Sequence, residues 1–342
     1  MTDEMGNSFG LQVRVAIHSD VGRVRTNNED SAGHGWLEDG SLFVIVADGM
    51  GGHEAGEVAS GLAVQVLKDV VTRSSETDPR ERLYHGFLEA NEAILQEGRA
   101  SGTRGMGTTA VAALLRGEEV HVALVGDSRL YHFRSGQLVW RTLDHTRVQS
   151  LIDTGELAED ASRVHPESGM LTRALGHSRM ADGHPLVPDV LAEPLRLLPD
   201  DALVICSDGL HDLLEDWEIG QIVAGRTPPE AAEELVQIAC DRGGHDNVTV
   251  AVVTAGAVAG PYDAAYVPDI SAQDTQLSRP PAAEATYDER RLSEALESLD
   301  GETADRPRSK LVLGLAAAVV AAVAAVVVVF ALLAAVATLI SR

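Results

Sequence analysis

Short apolar runs closed by turn-forming residues restrict the fold of this chain more than any other feature of its sequence. Each run is rich in apolar, often β-branched residues and bounded by glycine, aspartate or serine, a pattern typical of buried β-strands. The runs are LFVIV (42–46), TAVAALL (109–115), VHVALVG (120–126), LYHFRSG (130–136), LVICS (203–207) and NVTVAVVT (247–254). Tight turns at 116–117 and 135–136 favour antiparallel hairpins over a doubly wound parallel sheet.

Three longer stretches carry apolar residues at helical spacing: 55–71, 81–97 and 229–241. The last of them begins at a proline pair, which suits the first turn of a helix. Helices beside antiparallel strands predict an α+β sandwich. The pattern does not specify the order of the strands.

The composition changes after residue 256. Residues 257–310 lack apolar periodicity and are rich in Ala, Pro, Asp and Ser, which indicates a flexible linker. Residues 311–340 contain no charge and, as a helix, would extend about 45 Å, more than the ~30 Å hydrocarbon core of a bilayer. We therefore expect a folded domain at 1–256, a linker at 257–310 and one transmembrane helix at 311–340.

Basic residues stand just before this apolar segment: Arg306, Arg308 and Lys310. The positive-inside rule then places the N-terminal domain in the cytoplasm, anchored to the cell membrane by a single span. The opening residues MTDEMGNSFG lack the apolar stretch of a signal peptide.

Charge and cysteine content exclude several classes of partner and site. The formal net charge of −25 argues against a nucleic-acid partner, because a phosphate backbone would be repelled. The two cysteines, Cys206 and Cys240, have no paired spacing, which excludes a disulfide framework and a cysteine-built zinc site.

Four aspartates stand beside the ends of apolar runs. They are Asp48 (VIVADGMGG), Asp127 (ALVGDSR), Asp208 (VICSDGL) and Asp246 (GGHDNVTV). Any one of them alone is explained as a turn former. Gathered at one end of a sheet they would repel, and a hard divalent cation bound by oxygen, Mg²⁺ or Mn²⁺, would resolve that repulsion. The glycine-rich turn after Asp48 has an alternative role, since backbone amides in such turns also cradle phosphate.

A polar segment upstream, HSDVGRVRTNNEDS (18–31), adds an arginine and two more acids, Arg25, Glu29 and Asp30. The planar guanidinium group is suited to bidentate phosphate binding. A surface loop with an ordinary salt bridge is the alternative.

Together these segments resemble a known family. The motifs are SD-x-G-x-x-R-x-x-NED (19–30), ADGMGGH-x-x-GE (47–57), MGTT (106–109), GDSR (126–129), LTRALG (171–176), CSDGL (206–210) and DNVTV (246–250). They recur in this order in bacterial metal-dependent serine/threonine protein phosphatases of type 2C, and the match extends from residue 11 to about 255. The resemblance implies a four-layer sandwich of two antiparallel sheets flanked by helices, with a metal site at one end.

The resemblance also implies a metal-binding role for each matching residue. Asp48 would bridge two Mn²⁺ or Mg²⁺ ions, and Asp208 and Asp246 would complete the first. The Gly49 carbonyl would help hold the second ion, and Glu29 would reach it through water.

Further residues match positions around those ions. Arg25 would bind the substrate phosphate, and Asp127 would bind a third, weaker ion together with Asp208. Asp30 and Asn247 would stand behind the ligands. The implied reaction is hydrolysis of phosphoserine and phosphothreonine by direct attack of a metal-bridging water. The implied partners are phosphorylated proteins and membrane-associated Ser/Thr protein kinases.

Two positions depart from relatives of this family. Met50 stands where eukaryotic members have a histidine proposed as general acid, and His53, three residues on, does not inherit that role. In the flap segment, residues 144–185, Gly169 stands where many bacterial relatives have Asn or Ser, so it offers the third ion no side chain.

Two alternatives to a protein phosphatase stay open: a non-catalytic signalling scaffold on the same fold, and a phosphoesterase acting on a small molecule. A scaffold would predict loss of a ligand carboxylate or of Arg25, and none is lost. A cysteine-dependent phosphatase is excluded, because Cys206 and Cys240 are followed six residues later by Asp212 and Asp246 rather than by arginine.

Overall fold

The computed structural model describes residues 2–8, 11–51, 54–103 and 105–256, which build two antiparallel sheets. The first has the order β1 (Thr2–Ser8), β2 (Leu11–Asp20), β13 (Val248–Ala255), β12 (Asp201–Cys206), β8 (Arg129–Arg134), β9 (Gln137–Arg141). The second has the order β10 (Asp189–Val190), β7 (Glu119–Val125), β6 (Ala110–Arg116), β4 (Leu42–Met50), β3 (Asp30–Trp36), with β11 (Leu195–Arg196) on β7 and β5 (Gly107–Thr108) on β4.

The helices form two groups. The first group is α1 (Glu54–Arg73) and α2 (Pro79–Ala100), and α1 packs on strands β3 and β4 of the second sheet. The second group is α4 (Asp208–His211), α5 (Asp216–Val223) and α6 (Pro228–Asp241), of which α6 packs on β2 and β13 of the first sheet. A seven-residue helix, α3 (Arg147–Asp153), and a 3₁₀ turn (Glu159–Val164) lie in the flap segment.

Strand β4 shows how the layers are built. Phe43 and Ile45 belong to the apolar core under α1 and α2, whereas Val44 and Val46 belong to the core between the two sheets. Successive side chains of a strand point to opposite faces, so a strand covered on both faces must be apolar at every position. The uninterrupted run LFVIV is therefore explained, and the expected four-layer order of helices, sheet, sheet, helices is confirmed.

Local sequence signals set where the long helices begin. Helix α2 begins at Pro79, whose fixed φ and missing N–H suit a first turn, and the carboxylate of Asp78 accepts a hydrogen bond from the Arg80 amide at 2.9 Å. The predicted helix 81–97 is thus present, two residues longer at its start and three at its end. The predictions for 55–71 and 229–241 correspond to α1 and α6.

The structure adds strands that the apolar runs did not predict. Strand β2 contains residues 18–20 of the polar segment and β3 contains residues 30–31, so only residues 21–29 form the loop that joins these strands of different sheets. Helices α3, α4 and α5 were not predicted either, since each is eight residues or shorter and carries few periodic positions.

The linker (257–310) and the apolar segment (311–340) lie outside the described residues. Within the described residues, no helix combines the length and apolar character needed to cross a bilayer.

Candidate active site

Strand pairing brings the predicted aspartates to one end of the sandwich. Asp48 lies in β4 and pairs with Asp30 across the ladder to β3. Asp208 follows β12, and Asp246 stands two residues before β13, which pairs with β12 through Cys206 and Val250. Asp48 was expected at the end of the strand with a turn directly after it, but β4 continues to Met50 because β5 extends its pairing.

The buried carboxylates at this end repel one another. Burial, and then the charges of Asp208, Asp30 and Asp127, hold the pKa of Asp48 well above its usual range. Burial and the charges of Asp127, Asp212 and Asp246 do the same to the pKa of Asp208. Asp208 Oδ1 is buried and has no hydrogen-bond partner. The fold therefore concentrates negative charge here, and the nearby arginines of the described residues, Arg25 and Arg129, pair with Asp246 and Asp144 rather than with Asp48 or Asp208.

Asp30 lies beneath this cluster. It is 9% exposed, and its Oδ2 accepts a hydrogen bond from the Ser207 hydroxyl at 2.7 Å, while Oδ1 has no partner. Burial raises its pKa to about 6, against the opposing effect of the Thr249 and Ser207 hydroxyls. Its place behind Asp48 fits the supporting role that the resemblance implied.

Arg25 contacts a predicted metal ligand. Its Nη2 donates to Asp246 Oδ2 at 2.7 Å, and half of the Arg25 side chain remains exposed. A single contact at such exposure is worth little, about 0–1 kcal/mol, so the guanidinium group can exchange it for another anion. The structure thus places Arg25 at the mouth of the carboxylate cluster.

Asn247 fixes the loop that carries Arg25. Its Nδ2 donates to the carbonyls of Val21 and Asn27, both at 2.9 Å, and its Oδ1 accepts from the Glu29 amide at 2.8 Å. Asn247 is 4% exposed, so these bonds replace water that burial has removed. The side chain acts as a brace between β13 and the loop.

Backbone packing explains the glycine after Asp48. A Cβ on Gly49 would lie 2.1 Å from the Gly56 carbonyl oxygen and 2.6 Å from that of Glu29. The Gly49 amide donates to the Glu29 carbonyl at 3.1 Å. A Cβ on Gly56 would in turn lie 2.8 Å from Glu29 Oε2, which places that carboxylate beside the turn. Close approach of helix α1 therefore requires glycine, whatever the turn binds.

Two histidines that sequence reasoning missed hold the segment around Asp127. His145 Nδ1 accepts from the Gly126 amide at 3.1 Å, and His211 Nε2 donates to the Asp127 carbonyl at 3.0 Å. Burial lowers the pKa of His211 to about 3, so its ring is neutral. Burial also raises the pKa of Asp127 to about 7.

Ion pairs and a histidine hydrogen bond tie the flap to the sheets. Asp144 accepts two bonds from Arg129, at 2.7 and 2.6 Å, at the start of the flap. His145 Nε2 lies 3.0 Å from Asp189 Oδ2, and Asp189 also pairs with Arg173. These partners are up to 44 residues apart, and only the folded chain reveals them.

The two departures have different outcomes. A Cβ on Gly169 would meet no atom within 4 Å, so glycine is not required there and its effect on a third ion stays a prediction. Met50 ends β4, with its Cε 3.0 Å from where a Cβ on Gly107 would lie. His53 is outside the described residues.

The carboxylate oxygens at this end of the sandwich are of the kind that binds a hard cation, although they do not surround a common point. Among the described residues, no three side chains of His, Cys, Asp or Glu form a closed metal-binding group. Arg25 occupies one oxygen of Asp246, and Asp208 hydrogen-bonds to Asp48, which accounts for that finding. Buried oxygen donors with excess negative charge and an orphaned Asp208 Oδ1 fit Mg²⁺ or Mn²⁺.

Comparison with known proteins agrees with this geometry. Residues 19–248 match the family described as protein phosphatase 2C. The serine/threonine phosphatase stp of Listeria monocytogenes is 38% identical over 247 residues, which are 70% of this chain and 95% of that protein. The serine/threonine protein phosphatase PstP of Mycobacterium tuberculosis is 35% identical over 276 residues, 77% of this chain.

Solved structures agree as well. The S. agalactiae serine/threonine phosphatase superposes with a TM-score of 0.65 at 31% identity, over 71% of this chain and 99% of that one. The catalytic domain of PstP in complex with two manganese ions gives a TM-score of 0.60 at 35% identity, over 72% of this chain and 99% of that one. The aligned region covers 51% of the PstP proteins, about half their length. These matches confirm what the ordered motifs predicted: the chain belongs to the protein phosphatase 2C family.

Proposed function

We propose that this chain is a metal-dependent protein serine/threonine phosphatase. The observation that carries the proposal is the set of buried, mutually repelling carboxylates with an orphaned Asp208 oxygen, placed directly below the exposed Arg25. Such an arrangement has little structural value by itself, because burying charge without partners costs stability.

The ligands offered by the chain are those that the family resemblance implied. Asp48, Asp208 and Asp246 would hold one divalent ion, and Asp48, the Gly49 carbonyl and Glu29 would hold a second. Asp127 would contribute to a third, weaker site. Two divalent ions at such a site activate water and offset the charge of a transferring phosphoryl group.

The residues around these ligands orient the substrate. Arg25 would exchange its bond to Asp246 for one to a phosphate oxygen of the substrate. This exchange would bind the substrate and would leave the Asp246 carboxylate to the cation. Asn247 would keep the Arg25 loop fixed during this exchange, because its three bonds do not involve Arg25. Asp30 would help hold Asp48 across the ladder.

The place of action and the partners are also proposals. The uncharged segment 311–340 with Arg306, Arg308 and Lys310 before it supports one membrane span with the phosphatase domain in the cytoplasm. Phosphorylated proteins would be the substrates, and membrane-associated Ser/Thr kinases would be the enzymes that this phosphatase opposes.

The test is hydrolysis of a phosphothreonine peptide and of p-nitrophenyl phosphate by the full-length chain with Mn²⁺, Mg²⁺ or a chelator. We expect release from the peptide with either metal and none with chelator. Release from p-nitrophenyl phosphate alone would favour a small-molecule phosphoesterase, and no release from folded protein would favour a scaffold. Asp48→Asn serves as the matched inactive control.

A further inference from the structure

A groove of about 1090 Å³ leads away from the metal ligands, between the flap and helix α5. Asp127 and Asp208 lie at one end, and Trp217 of α5 lies in its wall. The volume is at or above the ~300–1,000 Å³ range of small-molecule sites. We propose that this groove binds the polypeptide on one side of the phosphorylated residue and selects a large apolar and a basic side chain there. The inference rests on the proposed phosphatase function.

The groove has an apolar side. Trp217 is 59% exposed, although an indole gains more from burial than almost any other side chain. Leu138 of β9, with Val148 and Ile152 of α3, also lines the groove. An exposed tryptophan beside aliphatic side chains in a concave surface is typical of the pockets that bind a partner's side chain at protein interfaces.

The groove also has an acidic side. Glu159, Asp212, Glu215 and Asp216 line the groove as well, and the two arginines that line it, Arg129 and Arg141, are outnumbered by its carboxylates. Arg141 pairs with Glu159 at 2.9 Å and with Asp216 at 3.2 Å, which joins the flap to α5. The remaining negative charge would attract a lysine or arginine of a substrate and repel an acidic residue.

A polypeptide is the occupant that the position of the groove favours. Serine and threonine side chains are short, so a phosphate bound beside Asp208 brings its own main chain to the mouth of this groove. The residues next in sequence must then lie along the walls. A small phosphate ester would leave the Trp217 end empty.

The test uses the full-length chain with Mn²⁺ and a set of phosphothreonine peptides. The peptides carry Leu and Lys, Leu and Glu, Ala and Lys, or Ala and Glu at the second to fourth positions, on one side or the other of the phosphothreonine. The readout is the kcat/KM for each peptide divided by the kcat/KM for p-nitrophenyl phosphate, which has no flanking residues. We expect the Leu and Lys peptide to be favoured about tenfold on one side, the size of effect that one apolar contact produces.

Variants connect that preference to the groove. Trp217→Ala should remove the advantage of Leu, and Asp216→Asn should reduce the advantage of Lys about threefold, less so at high salt. Met5→Ala is the matched control, because Met5 is also exposed (65%) but lies on β1, at the edge of the first sheet opposite to the groove strand β9. Its ratios should equal those of the unchanged chain.

Two results would overturn the groove and leave the phosphatase intact. One is equal kcat/KM for all peptides, and the other is a full Leu and Lys preference in Trp217→Ala. Loss of turnover on both p-nitrophenyl phosphate and every peptide by the unchanged chain would instead overturn the proposed function, and the groove with it.

Discussion

Strand β12 has a buried aspartate at each end, and the two have opposite environments. Asp201 begins the strand, is 1% exposed, and accepts bonds from Arg134, His132 and the Leu198 amide, at 2.8 to 2.9 Å. Burial raises its pKa, but these partners together lower it below its usual value. Asp208 follows the other end among like charges, with its Oδ1 unbonded and its pKa raised.

The difference separates a carboxylate that serves the fold from one that serves a ligand. Hydrogen-bond donors of the protein satisfy both carboxylate oxygens of Asp201, so its charge stabilises the fold without a bound ligand. Repulsion between Asp208 and its neighbours lowers the stability of the metal-free fold, and the proposed binding of a cation would relieve it. Binding of that cation then stabilises the fold in proportion to its concentration over its Kd.

The strongest way to break the comparison is Asp48→Asn, which removes the carboxylate that hydrogen-bonds to Asp208. We expect turnover to fall by at least about 10³, because both ions would lose a shared ligand. In chelator the Tm should rise, since one like charge has gone. Initial rates with Mn²⁺ and thermal melts without metal give both values; normal turnover would contradict the two-ion site.

At the opposite end of the strand, Asp201→Asn should act on stability instead. We expect a loss of about 2–4 kcal/mol in the free energy of unfolding, because buried His132 and Arg134 lose their shared partner. This loss lies towards the lower end of the range for removing one partner of a buried ion pair, because 31% of the Arg134 side chain is exposed. Urea titration measures it, and kcat of the folded fraction should stay within about twofold.

Asp127→Asn sharpens the comparison within the site. Turnover should fall about tenfold, because the weaker ion loses a ligand while the two tighter ions keep theirs. The metal-free Tm should rise by about 2–4 °C as a repelling charge is removed. A Mn²⁺ titration of rate, followed by a melt in chelator, would show whether the two effects separate; a Tm that falls would contradict the repulsion.

The smallest effect is a pH slope. Because the pKa of Asp127 is raised to about 7, and those of Asp48 and Asp208 are raised too, the folded protein holds protons that the unfolded chain has lost. Metal-free stability should therefore fall as pH rises towards about 7, where folded Asp127 loses its proton. Below about pH 6.5 buried neutral His211, with its lowered pKa, acts in the opposite sense, so the fall is measured from pH 6.5 upward.

Melts in chelator across that window measure the slope. Mn²⁺ should raise the Tm more at pH 8.5 than at pH 6.5, because the ion replaces the protons that the carboxylates give up. A metal-free Tm that climbs steadily with pH would mean that the carboxylates are not repelling one another.

The sequence predicted the layers and the family, since these depend on apolar runs and ordered motifs. The structure brings the predicted aspartates to one end of the sandwich, and their roles as metal ligands stay predictions. Apolar runs alone do not distinguish Asp208 from Asp201, which both lie beside the run that became β12, and only the motif CSDGL marked Asp208, through the family resemblance. That distinction depends on Arg134, His132 and their absence near Asp208, all fixed by tertiary pairing. The anchors of the flap, such as His145 and Asp189, were missed for the same reason.

The contacts that hold the flap near its ends determine how well the protein tolerates changes in the length of the flap. Arg129–Asp144 and His145–Asp189 already bring the ends of this segment together, so closing the loop does not depend on what lies between them. The entropy of a closed loop grows only logarithmically, about 0.6 kcal/mol for each doubling of its length. Gly155 has no atom near its missing Cβ, and glycine-serine insertions there should lower the Tm by only a few degrees. The flap can therefore lengthen or shorten over evolution with little effect on the sandwich beneath it.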